Sequence, residues 1–411
     1  MSDRSEIVDC VIAGGGYVGL STAVAIKASA PHLSVTAIDA APKDAILNDE
    51  RASAIAAAAS RMLTQLGLWS DLESQAQPIN QMIVTDSRTS DPVRPVFLTF
   101  GDADGQDNAE PFAHMLPNRA LVMALRRKAQ ELGVELVHED TVDGFESGDP
   151  TIQVFLKSGR TIEARLLVAA DGVKSKLRDL AGIKTVHWSY DQMGIVTTVA
   201  HERPHEGRAE EHFLPGGPFA TLPLPGNRSS LVWTEPTANA KRLMSADDFT
   251  FELELEKRFG HKLGEIELDG PRKAFPLGLT LARDYVKPRL ALVGDAAHGI
   301  HPIAGQGLNL GFKDAAALAQ VVVETDRLGL DIGSLTALER YERWRRFDTV
   351  QMGVVTDVLN RLFSNDIGPL RLLRTVGLGL VDRLPGLKRG FIEQAAGRAG
   401  SNPALLNGDA I

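Results

Sequence analysis

The stretch Ile7-Val8-Asp9-Cys10-Val11-Ile12-Ala13-Gly14-Gly15-Gly16-Tyr17-Val18-Gly19 decides the fold. Residues 7–13 are a short, mostly apolar run of the kind that fills a buried strand, and the Ala-rich segment 17–30 after the glycines reads as a helix. A second apolar run, 33–38, ends on Asp39. Strand, tight loop, helix and strand in that order imply a parallel sheet with a right-handed crossover. Gly14, Gly16 and Gly19 match G-x-G-x-x-G, and Asp39 stands about 20 residues downstream at the end of the next strand. Glycines let the backbone turn tightly and approach a pyrophosphate, the helix start offers unpaired N–H groups, and a carboxylate accepts hydrogen bonds from a plain ribose. The loop alone does not choose between dinucleotides.

Working outward, residues 118–132 carry apolar side chains at helical spacing, and the apolar strand 166–170 runs into Asp171-Gly172. Between about 186 and 280 the pattern changes to short alternating segments punctuated by Pro-Gly and Gly-Gly pairs, which reads as an antiparallel sheet. The buried-strand pattern returns at 290–293 and leads into Gly294-Asp295-Ala296-Ala297-His298. This second Gly-Asp segment needs another piece of the same ligand to explain it, and that piece names FAD. Asp295 suits the ribityl hydroxyls, and Gly294 permits close approach. Residues 302–309 end where a long helix, 309–324, begins, so their N–H groups can face charge developing on a reduced isoalloxazine ring. From 335 onward the chain reads as helical and Arg-rich.

The expected fold class is therefore α/β: a Rossmann-like FAD-binding domain with an inserted antiparallel-sheet substrate domain and a helical C-terminal tail. Residues 1–80, 110–185 and 281–335 are assigned to the first, 81–109 and 186–280 to the second, and 336–411 to the tail. A chain of 411 residues is too long for one ordinary core. Its net charge of -9 argues against a dedicated nucleic-acid binder. The single Cys10 excludes an intramolecular disulfide and a Cys-based metal site, so a cytoplasmic setting is expected and no metal is assigned. No uninterrupted apolar run approaches the ~18 residues of a membrane span.

At these residues the chain resembles the group A flavoprotein monooxygenases with the para-hydroxybenzoate hydroxylase fold. The resemblance rests on the Gly-rich loop, on Asp171-Gly172 with Ser175 and Arg178 behind it, and on Gly294-Asp295. Within that family, residues 301–314, His-Pro-Ile-Ala-Gly-Gln-Gly-Leu-Asn-Leu-Gly-Phe-Lys-Asp, look like the signature of the ubiquinone-biosynthesis hydroxylases. Arg51, Asn118-Arg119, Trp233 and Phe275-Pro276-Leu277 also stand where that subfamily has similar residues.

The resemblance implies a cycle in which NADPH, NADH or an external reductase reduces FAD, O2 adds to the flavin, and the resulting hydroperoxide hydroxylates an electron-rich phenol. It implies cofactor contacts at Gly14, Gly16, Gly19, Asp39, Arg51, Arg119, Asp171, Gly294, Asp295, Gly307, Leu308 and Asn309. No residue need act as a nucleophile. Pro302, Gly305, Gln306 and Gly307 are the flavin-proximal candidates. A polyprenylated phenol is the implied substrate, with peripheral contact at the inner face of the membrane and docking to other quinone-biosynthesis proteins as implied associations. Residues 366–389, which mix Leu and Val with Arg and Lys, offer a basic amphipathic segment for either role, or a helix packed on the FAD domain.

Other readings stay open on the sequence: a hydroxylase of a soluble phenol, a reductase-like enzyme, or a non-catalytic FAD-binding subunit of a complex. A halogenase is disfavoured because W-x-W-x-I-P is missing. His298 and His301 read as titrating groups or, for His298 by preference, as a structural partner of the neighbouring loop. Trp233 reads equally as sheet packing or pocket wall, and Cys10 as core.

Overall fold

The computed structural model describes residues 7–86, 96–101, 110–300, 306–363, 396–397 and 400–411. Its first sheet grows from the opening stretch. Strand β1 (Val8–Ala13) turns through the glycines into helix α1 (Tyr17–Ser29), and the chain returns parallel to β1 as β2 (Val35–Asp39). On the other side of β1 lie β11 (Thr161–Ala169) and then β19 (Leu290–Leu292), both parallel, while β8 (Glu135–His138) extends the sheet beyond β2. The short β18 (Val286–Lys287) closes one edge antiparallel to β19. A hairpin of β9 (Val142–Ser147) and β10 (Ile152–Leu156) hangs from β11.

The central strands are continuous apolar runs because both of their faces are buried in the core. Cys10, Val11, Ile12, Leu167 and Val168 have no exposed surface. Helix α1 packs on α4 (Asn118–Glu131) and on the long α8 (Gln306–Arg327), which in turn packs on α9 (Leu335–Phe363). Cys10 is core, as its place in the first strand indicates.

The second sheet runs β20 (His298–Gly299), β17 (Lys273–Ala282), β12 (Thr185–His201), β15 (Arg228–Pro236), β14 (Gly217–Leu224), β13 (Arg208–Leu214), β5 (Gln81–Asp86) and β6 (Val96–Gly101). A short β16 (Ile266–Leu268) pairs with the end of β12. Two expectations need correction. The sheet is not wholly antiparallel, since β5 and β13 pair in parallel; they are joined through the rest of the fold rather than by a hairpin, so no turn imposes their direction. Nor are its segments uniformly short: β12 runs for 17 residues, and a register shift between Ser189 and Gln192, near Asp191 with φ 53°, bends it.

One face of this sheet packs under α6 (Thr237–Ser245) and α7 (Asp248–Phe259), burying Phe219, Leu231, Trp233 and Phe251. Trp233 is thus packing, with its indole N–H donated to Glu235 at 2.9 Å. The Arg258 guanidinium lies 4.5 Å from the centre of the indole ring and donates to the same Glu235 carboxylate at 2.9 Å. The opposite face looks back toward the first sheet.

Two smaller features complete the chain. A three-stranded sheet of β3 (Ala52–Ala56), β7 (Ala113–Pro117) and β4 (Gln77–Ile79) bridges the two larger ones. Helices α2 (Ala57–Gln65), α3 (Trp69–Leu72), α5 (Lys176–Leu180) and α10 (Ala404–Asn407) fill in around the first sheet. Helix α8 starts three residues earlier than the apolar pattern suggests. The basic segment 366–389 lies outside the described residues.

Removing one partner of the buried Arg258–Glu235 pair leaves an uncompensated charge. Arg258→Ala is expected to lower unfolding free energy by about 3 kcal/mol in urea titrations, and adding Glu235→Leu should recover a large part of the loss.

Candidate active site

The three loop glycines are held by different constraints. A Cβ on Gly14, whose φ is +131°, would lie 2.2 Å from the carbonyl oxygen of Ala170 at the end of β11. A Cβ on Gly19 would lie 2.0 Å from the carbonyl oxygen of Gly14, so this glycine lets α1 sit down on the loop. At Gly16 an added Cβ meets nothing within 4 Å. Packing therefore explains the first and last glycines, while the space over the middle one is left for a ligand. The first helical bond runs from the Leu20 N–H to the Gly16 carbonyl at 2.9 Å, and no acidic residue occupies the first turn. The N-terminus of α1 thus presents unpaired N–H groups to that space.

From Gly16 a cleft of about 1030 Å³ runs between the two large sheets. Asp39, Arg51, Asn118, Arg126, Asp295, Gly307 and Leu308 line its α/β side, and the inward face of β12, β14, β15 and β17 lines the other. Asp39 is oriented by Arg126, whose guanidinium donates to it at 2.8 Å, and by the Ala41 N–H at 3.1 Å. Arg126 Nε is buried and makes no hydrogen bond among the described residues. Arg51 binds Asp49 in two-pronged fashion at 2.8 and 2.7 Å and stands 5.9 Å from the centre of the Phe275 ring. The hydrogen bonds that Arg51 donates to Asp49 raise the Arg51 pKa; burial pushes the Asp49 carboxyl up, but Arg51 outweighs it and holds it below its ordinary value.

The second Gly-Asp segment is fixed from behind. Asp314 of α8 has no exposed surface; it accepts from the Gly294 N–H at 2.9 Å and from Arg345 of α9 at 2.7 Å, and bonds His298 at 2.5 Å. Burial pushes its carboxyl up, yet His298 and Arg345 outweigh that and hold it below the ordinary range. His298 is thereby a structural partner of the loop. Asp295, at the next position, is exposed to the open cleft but sits between its walls. Desolvation by those walls raises its carboxyl, opposed by His298 and reinforced by Asp314.

Asp171 does not itself line the cleft, although its neighbours Ala170 and Gly172 do. One of its oxygens accepts from the Leu177 N–H at 3.2 Å, and the other is buried with no hydrogen bond among the described residues. Behind it, Ser175 caps α5 by accepting from the Arg178 N–H at 3.0 Å. Arg178 donates to the carbonyls of Val173 and Ala296 at 3.1 Å each, tying this loop to the Gly294 segment.

Two other sequence candidates point away from the cleft. The Asn309 amide clasps β3, donating to the Ala54 carbonyl at 2.9 Å and accepting from the Ala56 N–H at 2.8 Å. Arg119 is exposed. The residues of α4 that reach the cleft are Asn118, Val122 and Arg126, spaced four apart along one ridge, and Arg119 lies a step off it. That spacing was the readable signal for Arg126. Pro302 and Gly305 lie outside the described residues, as does the Gln306 side chain.

An open pocket over a loop glycine, a helix N-terminus without acids and an unpaired polar atom on the cleft-lining Arg126 fit a bound dinucleotide. The comparisons agree. Residues 7–346 match the FAD binding domain family. The chain is 44% identical over 407 residues to ubiquinone hydroxylase UbiL of Rhodospirillum rubrum, covering 98% of this chain and 92% of that one. It is 33% identical over 400 residues to the 3-demethoxyubiquinol 3-hydroxylase of Escherichia coli, covering 96% and 99%. The chain belongs to the ubiquinone-biosynthesis FAD-dependent monooxygenases. Among solved structures, p-nitrophenol 4-monooxygenase PnpA from Pseudomonas putida superposes with a TM-score of 0.78 at 18% identity, covering 96% of this chain and 99% of that one. That likeness supports the expected α/β fold with its second sheet.

For this monooxygenase the glycine geometry separates folding from cofactor binding. Gly19→Ala is expected to lower stability by about 2 kcal/mol by overpacking. Gly16→Ala should leave the apoprotein's unfolding curve in place and weaken FAD binding by about 100-fold, read by fluorescence titration.

Proposed function

We propose that this enzyme hydroxylates the ring of a polyprenylated phenol, with FAD held along the α/β side of the cleft and the phenol against the sheet face. The observation that carries this reading is the two-sided cleft. Its sheet wall is mostly apolar, with Ala220, Leu222, Val232, Val196 and Leu277, whereas its other wall gathers the loop amides and most of the carboxylates.

Bound FAD, once reduced, would supply the activation of O2 and transfer of one oxygen atom to the ring. The chain's own groups position and shield. The α1 N-terminus over Gly16 suits the pyrophosphate, and Asp39, steadied by Arg126, suits the adenosine ribose. Asp295 suits the ribityl hydroxyls, and the amides of Gly307 and Leu308 at the start of α8 suit negative charge on the reduced ring. Apolar side chains over the reacting atoms keep water away. One G-x-G-x-x-G loop in the sequence supports transient docking of a nicotinamide or a separate reductase over a second resident dinucleotide site.

If the sheet wall takes the substrate, Leu222→Asn should raise the KM for a short-chain prenylphenol by about 10-fold and leave the flavin absorption spectrum unchanged. Efficient coupling of O2 uptake to a water-soluble hydroxybenzoate, with prenylphenols ignored, would sink the reading.

Among the described residues no helix is long and apolar enough to cross a membrane. Helix α9 nonetheless exposes Phe347, Val350, Val354 and Val358 along one side while Gly353 packs on β17. That stripe supports peripheral contact with lipid, where a polyprenyl substrate resides. Phe347→Asp with Val354→Asp should abolish co-sedimentation with anionic vesicles; retention equal to that of the unaltered protein refutes the contact.

A further inference from the structure

Among the described residues, the sheet wall of the cleft carries one carboxyl group. Glu211 of β13 is 4% exposed, makes no hydrogen bond among the described residues, and opens onto the cleft between the apolar side chains of Met82, Ala220 and Leu222. Its neighbours in sequence face the other way: Glu210 pairs with Lys262 at 2.5 Å, and His212 bonds Thr85 at 2.7 Å. Directly across the ladder stand Ala220 on β14 and Val84 on β5. On the cleft face β15 offers Ser230 and Val232; on the two strands beside β13 the ionisable group is Asp86, two residues along β5 from Val84, while Lys273 on β17 lies four strands away and Arg51 faces from the opposite wall.

A carboxyl in such a place has no structural purpose in the chain: nothing binds it, and an apolar residue would pack as well. We infer that Glu211 accepts the proton of the substrate's phenolic hydroxyl. This rests on the reading that the cleft takes a phenol. In the step the phenol O–H bond breaks, an O–H bond forms on a Glu211 oxygen, and the electron pair stays on the ring oxygen, raising the ring's electron density for oxygen transfer. The proton leaves to solvent when product departs, which restores the carboxylate. No oxidant enters this step.

Burial alone lifts the Glu211 carboxyl to about 7. Below that pH it is protonated and cannot accept, and above it the carboxylate is present, so hydroxylation of an un-ionised phenol should rise with pH through about 7. The poised base, unlike a surface carboxylate, also has enough basicity to help remove a phenolic proton.

The test compares FAD-loaded wild-type protein and Glu211→Gln on two probes: a 2-prenylphenol that stays un-ionised at neutral pH, and a ring-fluorinated 2-prenylphenol that is already ionised there. The expected result is a loss of about 100-fold in turnover with the first probe, no comparable loss with the second, and a flat pH profile for the variant. Equal losses with both probes would make Glu211 a packing residue, and no loss with either would remove it from the reaction. Wild-type enzyme that hydroxylates neither probe overturns the substrate reading itself. Infrared titration of the apoprotein supplies a readout free of turnover: a protonated-carboxyl band disappearing with a midpoint of about 7, absent in Glu211→Gln and shifted by added prenylphenol. A band that ignores the phenol overturns the proposal.

Discussion

The structure hangs on a carboxylate that water never reaches. Asp314 lies in the long helix after the second Gly-Asp segment, and its two oxygens engage the Gly294 N–H, His298 and Arg345. An ion buried this deeply is tolerated only when its charge and lone pairs are matched, so the three partners have little freedom to move apart. Because they come from the loop after β19, from β20 and from α9, the pairing locks the floor of the cleft, one side of the second sheet and the C-terminal helix into one arrangement. Tyr341, buried on α9, extends the clamp by donating to the Leu292 carbonyl at 2.7 Å. Arg178 performs the corresponding task on the neighbouring loop. Neither Asp314 nor Arg178 lines the cleft, yet the residues that do are placed by them.

Charge is distributed unevenly around the cleft, and the chemistry follows the division. The α/β wall offers amides, Asp39, Asp295 and the Asp49–Arg51 pair, a set suited to phosphates and hydroxyls. The sheet wall offers hydrocarbon with Ser230, Lys273 and one carboxyl. A ligand lying along the first wall and another lying on the second would meet where water is scarce, and electrostatic interactions there are stronger than in bulk solvent.

Much of this was readable in the residues. The buried-strand runs, the glycine spacing and the Gly294-Asp295 segment are local signals, since backbone sterics and helix-terminal amides act over a few residues. Arg126 and Glu211 were not read, because their meaning depends on which side of an element faces the cleft. For Arg126 the four-residue ridge from Asn118 carried that information. For Glu211 no local pattern did: Glu210-Glu211-His212 looks like an ordinary polar strand until β5 arrives beside it. Asn309 shows the opposite failure. It stands in a motif next to the cleft-lining Gly307 and Leu308, but its side chain is occupied in holding β3. The parallel pairing of β5 with β13 was equally hidden, because strand direction across a long connection is set by the whole fold.

That pairing has a consequence for how the chain comes into being. As it leaves the ribosome, β5 emerges long before β13, and β19, which completes the first sheet, emerges after nearly all of the second. Each sheet waits for a strand made on the far side of the other, so the loop-closure entropy of both is met late and together. The N-terminal glycine loop, although first to be synthesised, meets its seat at Ala170 only after β11 has been made, and the Gly294 segment opposite it is fixed only once Asp314 has appeared. A chain that stops short of Asp314 therefore has all the strands of both sheets but lacks the buried carboxylate that fixes the Gly294 segment between them.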